Sequence, residues 1–137
     1  MLLKKKKLII GFTLIELMIV VAVLGLIAAV AIPKFGELLE RSREGTTKGN
    51  IGAIRSAIAV YYSDNEGKYP DDFLSFNKYL EPIPSAKATP LGNTNAITLQ
   101  AGIPTSAGVG WSYDSDTGET WCNSTALDTR GVSFTSY

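Results

Sequence analysis

The chain is 137 residues long, with 13 basic and 13 acidic side chains and 45% hydrophobic residues, enough for one domain with a modest core. It has no histidine and one cysteine, Cys122. An internal disulfide, a Cys/His zinc site and nucleophilic catalysis by a Ser–His or Cys–His pair are therefore excluded.

Residues 1–11 contain Lys4, Lys5, Lys6 and Lys7 and end in Leu8-Ile9-Ile10-Gly11. Without those lysines, nine basic residues face 13 acidic ones, a net charge of −4 before a new terminal amine is counted. That balance offers no basic face, and no nucleic-acid partner is expected. Between Leu8 and Ile32 the only charged residue is Glu16. An apolar run of about 20 residues is the length a helix needs to cross a bilayer. Basic residues stay on the cytoplasmic side, so the lysines orient the span and send the C-terminal part to the other face.

Three kinds of segment share this outline: a secretory signal peptide, an uncleaved anchor, and the precursor of a polymerising subunit. Signal-peptide cores run about 7–15 residues, shorter than this stretch, although Ala28-Ala29-Val30-Ala31 imitates a small-residue cleavage site. Glu16 decides between the readings. A carboxylate at mid-membrane costs about 2.5–3.5 kcal/mol on insertion scales, and a plain anchor has no use for one. A polymer does. Cut after Gly11, the chain starts at Phe12 with a free amine, and in a staggered stack of parallel helices that amine can meet Glu16 of a neighbour. Each charge then neutralises the other in an apolar core, where either alone is unfavourable. Glutamate near a helix N-terminus also suits the helix dipole.

The run Gly11-Phe12-Thr13-Leu14-Ile15-Glu16-Leu17-Met18, continuing through Gly25 to Pro33, resembles the cleavage and methylation site of type IV pilins and type II secretion pseudopilins. The resemblance covers about 25 residues. Family leaders often place a basic residue directly before the glycine, whereas Leu8, Ile9 and Ile10 intervene here. The resemblance implies cutting between Gly11 and Phe12 by a membrane aspartyl prepilin peptidase, and methylation of the Phe12 amine. It also implies that Phe12 and Glu16 make the intersubunit pairing. Finally, it implies that the helix loosens between Gly25 and Pro33 in the assembled filament. Independently, Gly25 and Ala29 have the small-xxx-small spacing that lets helices approach closely in lipid, and Pro33 lacks an N–H and weakens its turn.

Beyond Phe35, apolar or small residues at Leu38, Leu39, Ile54, Ala57, Ile58 and Tyr61 alternate with charged ones at helical spacing. An unbroken helix from Phe12 to Tyr62 would be roughly 75 Å long. Gly45, Gly49 and Gly52 reduce helix propensity by about 1 kcal/mol each relative to alanine, so a kink or frayed turn is expected there. Arg41, Arg43 and Glu44 read as a solvated face, with contacts between subunits as the alternative.

Residues 63–70 are a turn by composition, similar to a stretch ending in Tyr-Pro that follows the helix in many pilins and pseudopilins. A short helix is expected over residues 71–79, with Phe73, Phe76 and Tyr79 on one side, and then an irregular connection through Pro82, Pro84 and Pro90. Residues 96–103 read as a strand. Residues 110–113 and 119–122 read as the arms of a hairpin around Asp114-Ser115-Asp116-Thr117-Gly118. The expected fold is α+β, a long N-terminal helix packed on a small antiparallel sheet in a pilin-like ladle. Its parts are a leader (1–11), a transmembrane and polymerisation helix (12–35), its amphipathic continuation (36–63) and a globular module (64–137).

No cofactor is required by this reading. Asp114, Asp116 and Asp128 are calcium candidates because hard cations take carboxylate oxygens; major pseudopilins, which this chain resembles in size, bind calcium in a C-terminal loop. The same residues also make an ordinary hairpin turn without metal. Asn123-Ser124-Thr125 fits the acceptor pattern for N-linked sugar. Cys122 reads as a buried small side chain. Trp111, Tyr113 and Trp121 read as buried hairpin residues, with an exposed binding patch as the alternative.

The expected function is structural, not enzymatic: a subunit of a pilin-type filament. The alternatives are a major pseudopilin of a type II secretion system and, behind it, a minor pilin binding at a filament tip. The expected partners are further copies of the chain, the inner membrane, the prepilin peptidase, and an assembly platform protein with its ATPase. The precursor is expected in a bacterial inner membrane with its C-terminal module outside the cytoplasm. Its destination is then a pilus or a periplasmic pseudopilus.

Overall fold

A computed structural model describes residues 11–72, 76 and 78–137. The lysine-bearing leader 1–10 and Phe73 of the expected short helix lie outside the described residues. The chain divides into two compact units at Gly36/Glu37. Helix α1 (Leu14–Asp64) runs through both of them, with Pro33 inside it.

In the first unit α1 is apolar on every side apart from Glu16 and Lys34. Leu14, Ile15, Leu17, Met18, Val21, Leu24 and Ile27 are all exposed, so no one face is set aside for a protein core. A helix apolar all round is suited to lipid or to the middle of an assembly, and this one is long and apolar enough to cross a membrane.

In the second unit one face of α1 is buried: Glu44, Thr47, Ile51, Ile54, Ala57 and Ile58. The steps of three and four residues keep these side chains in one stripe. The isoleucines meet Phe76, Leu91, Trp111, Tyr113, Cys122 and Phe134 in a single core. Burying each isoleucine contributes about 1.5–3 kcal/mol. The stripe therefore outweighs the cost of Gly45, Gly49 and Gly52, and the helix continues through them where a kink was expected. The expected face also needs correction at its start. Leu38 and Leu39 are exposed, and the buried positions before Ile51 are polar.

Strands β1 (Ile97–Leu99), β2 (Trp111–Tyr113) and β3 (Thr120–Cys122) form a three-stranded sheet in that order. The β2–β3 hairpin is antiparallel, with Trp111 opposite Cys122 and Tyr113 opposite Thr120. Its turn is closed by the Gly118 N–H donating to the Asp114 carbonyl. The α+β class holds, but the sheet is mixed: β1 pairs parallel to β2, with Ile97 opposite Trp111. The connection over residues 100–110, at 11 residues, is about the shortest that a crossover takes. Gly110 turns the chain back at φ +68°, where a Cβ would collide with the Ala96 carbonyl. The described residues of the expected 71–79 helix are bends and turns, anchored by Tyr79 and Leu80 N–H groups donating to the Phe76 carbonyl.

Candidate functional site

Two groups of polar side chains stand out, one at the start of α1 and one along its second half. The first is built by Thr13 and Glu16. Thr13 directly precedes the helix, and Glu16 is its third residue. The Thr13 backbone N–H donates to Glu16 Oε2 at 2.8 Å and the Thr13 hydroxyl donates to the same oxygen at 2.7 Å. In return the Glu16 N–H approaches Thr13 Oγ1 at 3.3 Å. This is a capping box, in which side chains satisfy N–H groups that a helix end leaves without partners. The Glu16 carboxylate is thereby drawn toward the N-terminal side, to the residue next to Phe12. Phe12 itself is exposed. Gly25 lies within α1 with open space where a Cβ would be, and Pro33 deprives the Ala29 carbonyl of its usual helical donor.

The second group holds two loops against α1. Glu40 accepts from the Thr89 N–H (2.7 Å) and hydroxyl (2.6 Å). One turn later, Glu44 accepts from the Thr129 N–H and hydroxyl, both at 2.7 Å. Thr47 Oγ1 accepts from the Lys87 and Ala88 N–H groups at 2.9 Å, and the Asn50 amide donates to the Ser85 carbonyl. Burial pushes the Glu40 pKa up, but the two Thr89 bonds and Arg43 outweigh it and hold the carboxyl below its ordinary range. Glu44, expected on a solvated face with Arg41 and Arg43, is instead buried.

The three aspartates do not come together as a metal site. Among the described residues no group of three or more His, Cys, Asp or Glu side chains is placed to hold an ion. Asp114 accepts from the Gly102 and Asp116 N–H groups at 2.9 Å, while Asp116 is exposed in the turn. Asp128 accepts from the Tyr137 hydroxyl (2.6 Å), from the Arg130 and Val132 N–H groups (2.8 Å each) and from the Arg130 guanidinium (3.1 Å). Carboxylates filled by protein donors in this way fit a structural role better than the open oxygen cage calcium takes.

Asp128 is thus the hub of the C-terminal loop, and Lys48 closes over the Tyr137 ring at 3.9 Å. The Tyr137 hydroxyl bond, followed by the Val132 and Arg130 bonds and opposed by burial, holds the Asp128 carboxyl well below the usual range. The native state therefore favours the anion. Its contribution to stability is complete above the ordinary carboxylate pKa of about 3.9 and is lost as the pH falls below it. Asp128→Asn should lower the melting temperature of the detergent-solubilised protein at pH 7 and flatten its decline between about pH 4 and 2. Near-ultraviolet signals of Trp111 and Trp121 would follow the melt. An unchanged acid profile would count against Asp128 as the hub.

Cys122 is buried, and burial pushes its thiol up to about 12 despite Arg55 and Lys48; an inert thiol is the result. Trp111, Tyr113 and Trp121 are buried as well, so they form no exposed patch. Asn123 is buried, and its amide donates to Thr98 Oγ1 and the Val109 carbonyl.

Sequence reasoning passed over Thr13 and the polar stripe, though both left signals. Thr13-x-x-Glu16 before an apolar run is a capping-box pattern. Stepping back from Ile51 by threes and fours reaches Thr47, Glu44 and Glu40.

Residues 9–32 match the family model described as the prokaryotic N-terminal methylation motif. The chain is 46% identical over 61 residues to the type IV major pilin protein PilA of Myxococcus xanthus, covering 44% of this chain and 27% of that protein. It is 44% identical over 62 residues to the fimbrial protein EcpC of Eikenella corrodens, covering 45% and 40%. These alignments thus span well under half of the relatives' own length. A type IV major fimbrial protein FimA of Dichelobacter nodosus aligns more fully, at 35% identity over 113 residues, 80% of this chain and 69% of that protein. No solved structure matches.

Proposed function

Because this chain belongs to the type IV pilin family, we propose that it is the repeating subunit of a surface pilus, assembled through the first half of α1. The observation that carries this is Glu16, the one charge in a helix stretch that is otherwise apolar and exposed all round. In this reading a prepilin peptidase cuts between Gly11 and Phe12 and the Phe12 amine is methylated. The amine then pairs with Glu16 of an adjacent copy, and Gly25 and Pro33 allow the helix to adjust as copies pack. The work is structural and not enzymatic. Before assembly the chain waits in the bacterial inner membrane with its globular part outside the cytoplasm, and a platform protein and ATPase extract it. The pilin and fimbrial names of its relatives favour a pilus over a secretion pseudopilus.

The mature subunit should begin at Phe12. Intact-mass and peptide mass spectrometry of sheared surface filaments should find N-methylphenylalanine as the first residue, and filaments built from chains that retain Met1 would overturn the assignment.

A further inference from the structure

Within residues 37–137 two patches of exposed charge stand apart, and their signs are opposite. On one flank of α1, Arg41, Lys48 and Arg55 recur every seven residues, close to two full turns, so all three project from the same side. All three are exposed, and Arg130, also exposed, joins Arg41 and Lys48 around a hollow of about 260 Å³. The carboxylates nearby are engaged within the chain. Both Glu44 oxygens accept from Thr129, Asp128 is buried beneath Tyr137 and Arg130, and Glu37 pairs with Arg41 at 2.6 Å. Among the described residues Lys48 and Arg55 have no acidic partner.

At the far end of the helix the sign reverses. Asp64, Glu66, Asp71 and Asp116, all exposed, line an open hollow of about 620 Å³ in which Lys68 is the one cation among the described residues. None of the four carboxylates has an ion pair among the described residues, and no three are placed to hold a metal ion. Tyr61 and Tyr69 also line the hollow, and low-dielectric walls focus a field of one sign. We propose that the two patches are the halves of one contact between copies: the basic flank of one subunit docks on the acidic hollow of another. A second copy is the occupant because one chain carries both signs, in places too far apart to satisfy each other. Lys48 and Asp64 lie on the same helix, roughly 24 Å apart along its axis. Contact between two different patches of one molecule is head-to-tail and propagates into an open polymer. The inference rests on the filament reading above and adds the surface that sets the register of the globular parts, since like charges brought face to face oppose every other register.

Charge reversal tests it in full-length chains, expressed in a piliated host lacking its own copy of the subunit. Lys48→Glu with Arg55→Glu makes the flank acidic, and Asp64→Lys with Asp116→Lys makes the hollow basic. Cleavage is scored by mass and assembly by the sheared filament fraction. Each doubly substituted chain is expected to be cut normally and to lose at least about tenfold in filament yield, because repulsion replaces attraction at every contact. Expressed together, the two failing chains should recover to within about threefold of the natural yield, the acidic flank of one meeting the basic hollow of the other. Recovery between chains cannot come from repairing the fold of either, so it separates a contact from a structural role. Natural yield from either reversed chain would leave the flank to some other anionic partner and overturn the proposal, as would two chains that fail together as they fail alone. If the natural chain is cut but forms no filaments, the filament reading fails first. If it forms them and the mixture does not recover, this proposal alone falls.

Discussion

Glu16→Ala should yield a protein that inserts, is cut and accumulates in the membrane, yet gives at least a hundredfold fewer filaments. Removing the carboxylate makes the segment more apolar, so insertion is not the step at risk. The loss falls on assembly. Each copy would bring a Phe12 amine into an apolar interior with no anion to meet it, and breaking one side of a buried ion pair costs about 3–5 kcal/mol. At 1.4 kcal/mol per factor of ten, that is at least two orders of magnitude per contact, repeated at every subunit. The Thr13 donors would also lose their acceptor. Quantitative immunoblots of sheared and membrane fractions measure it directly. Filament levels within a few-fold of normal would sink the charge-pairing account.

Trp111→Ala should destabilise the globular unit by about 3–5 kcal/mol, the range for emptying a large aromatic site in a core. Trp111 has 0% exposure, faces Cys122 across the hairpin and donates from Nε1 to the Pro84 carbonyl at 2.8 Å. The substitution opens a cavity and strands that carbonyl at once. Because a small domain is stable by only about 5–15 kcal/mol, the variant should unfold at much lower urea concentration and be degraded in cells. Urea titration of the solubilised protein, followed by Trp121 fluorescence, would give the difference. A cost below about 1 kcal/mol would mean that Trp111 does not organise the core.

The apolar helix, the lone Glu16 and the β2–β3 hairpin were legible because each is a local pattern with few alternatives. Residues 110–122, with Asp114 and Gly118 in the turn, specify a hairpin almost by themselves. The proximal face of α1 was not legible in this way. Glu40, Glu44 and Thr47 look like solvent-facing residues until Thr89, Thr129 and the N–H groups of Lys87 and Ala88 are brought to them from 40 or more positions away. No periodicity in hydrophobicity records such a partner. The direction of β1 was hidden for a related reason. Three residues of alternating character fit either orientation, and only the path of residues 100–110 selects the parallel one. Of the N-terminal site, Glu16 was read through its charge, whereas Thr13 was overlooked because a hydroxyl beside a membrane helix draws no attention until its geometry is seen.

The clasps that Glu40, Glu44 and Thr47 make on the two loops are assembled wholly from carboxylates, hydroxyls and backbone amides. Such joints need no oxidant, thiol carrier or shuffling enzyme to form. These clasps therefore hold alike in oxidising and in reducing surroundings, and a reductant that opens a bridged loop has nothing in them to cut.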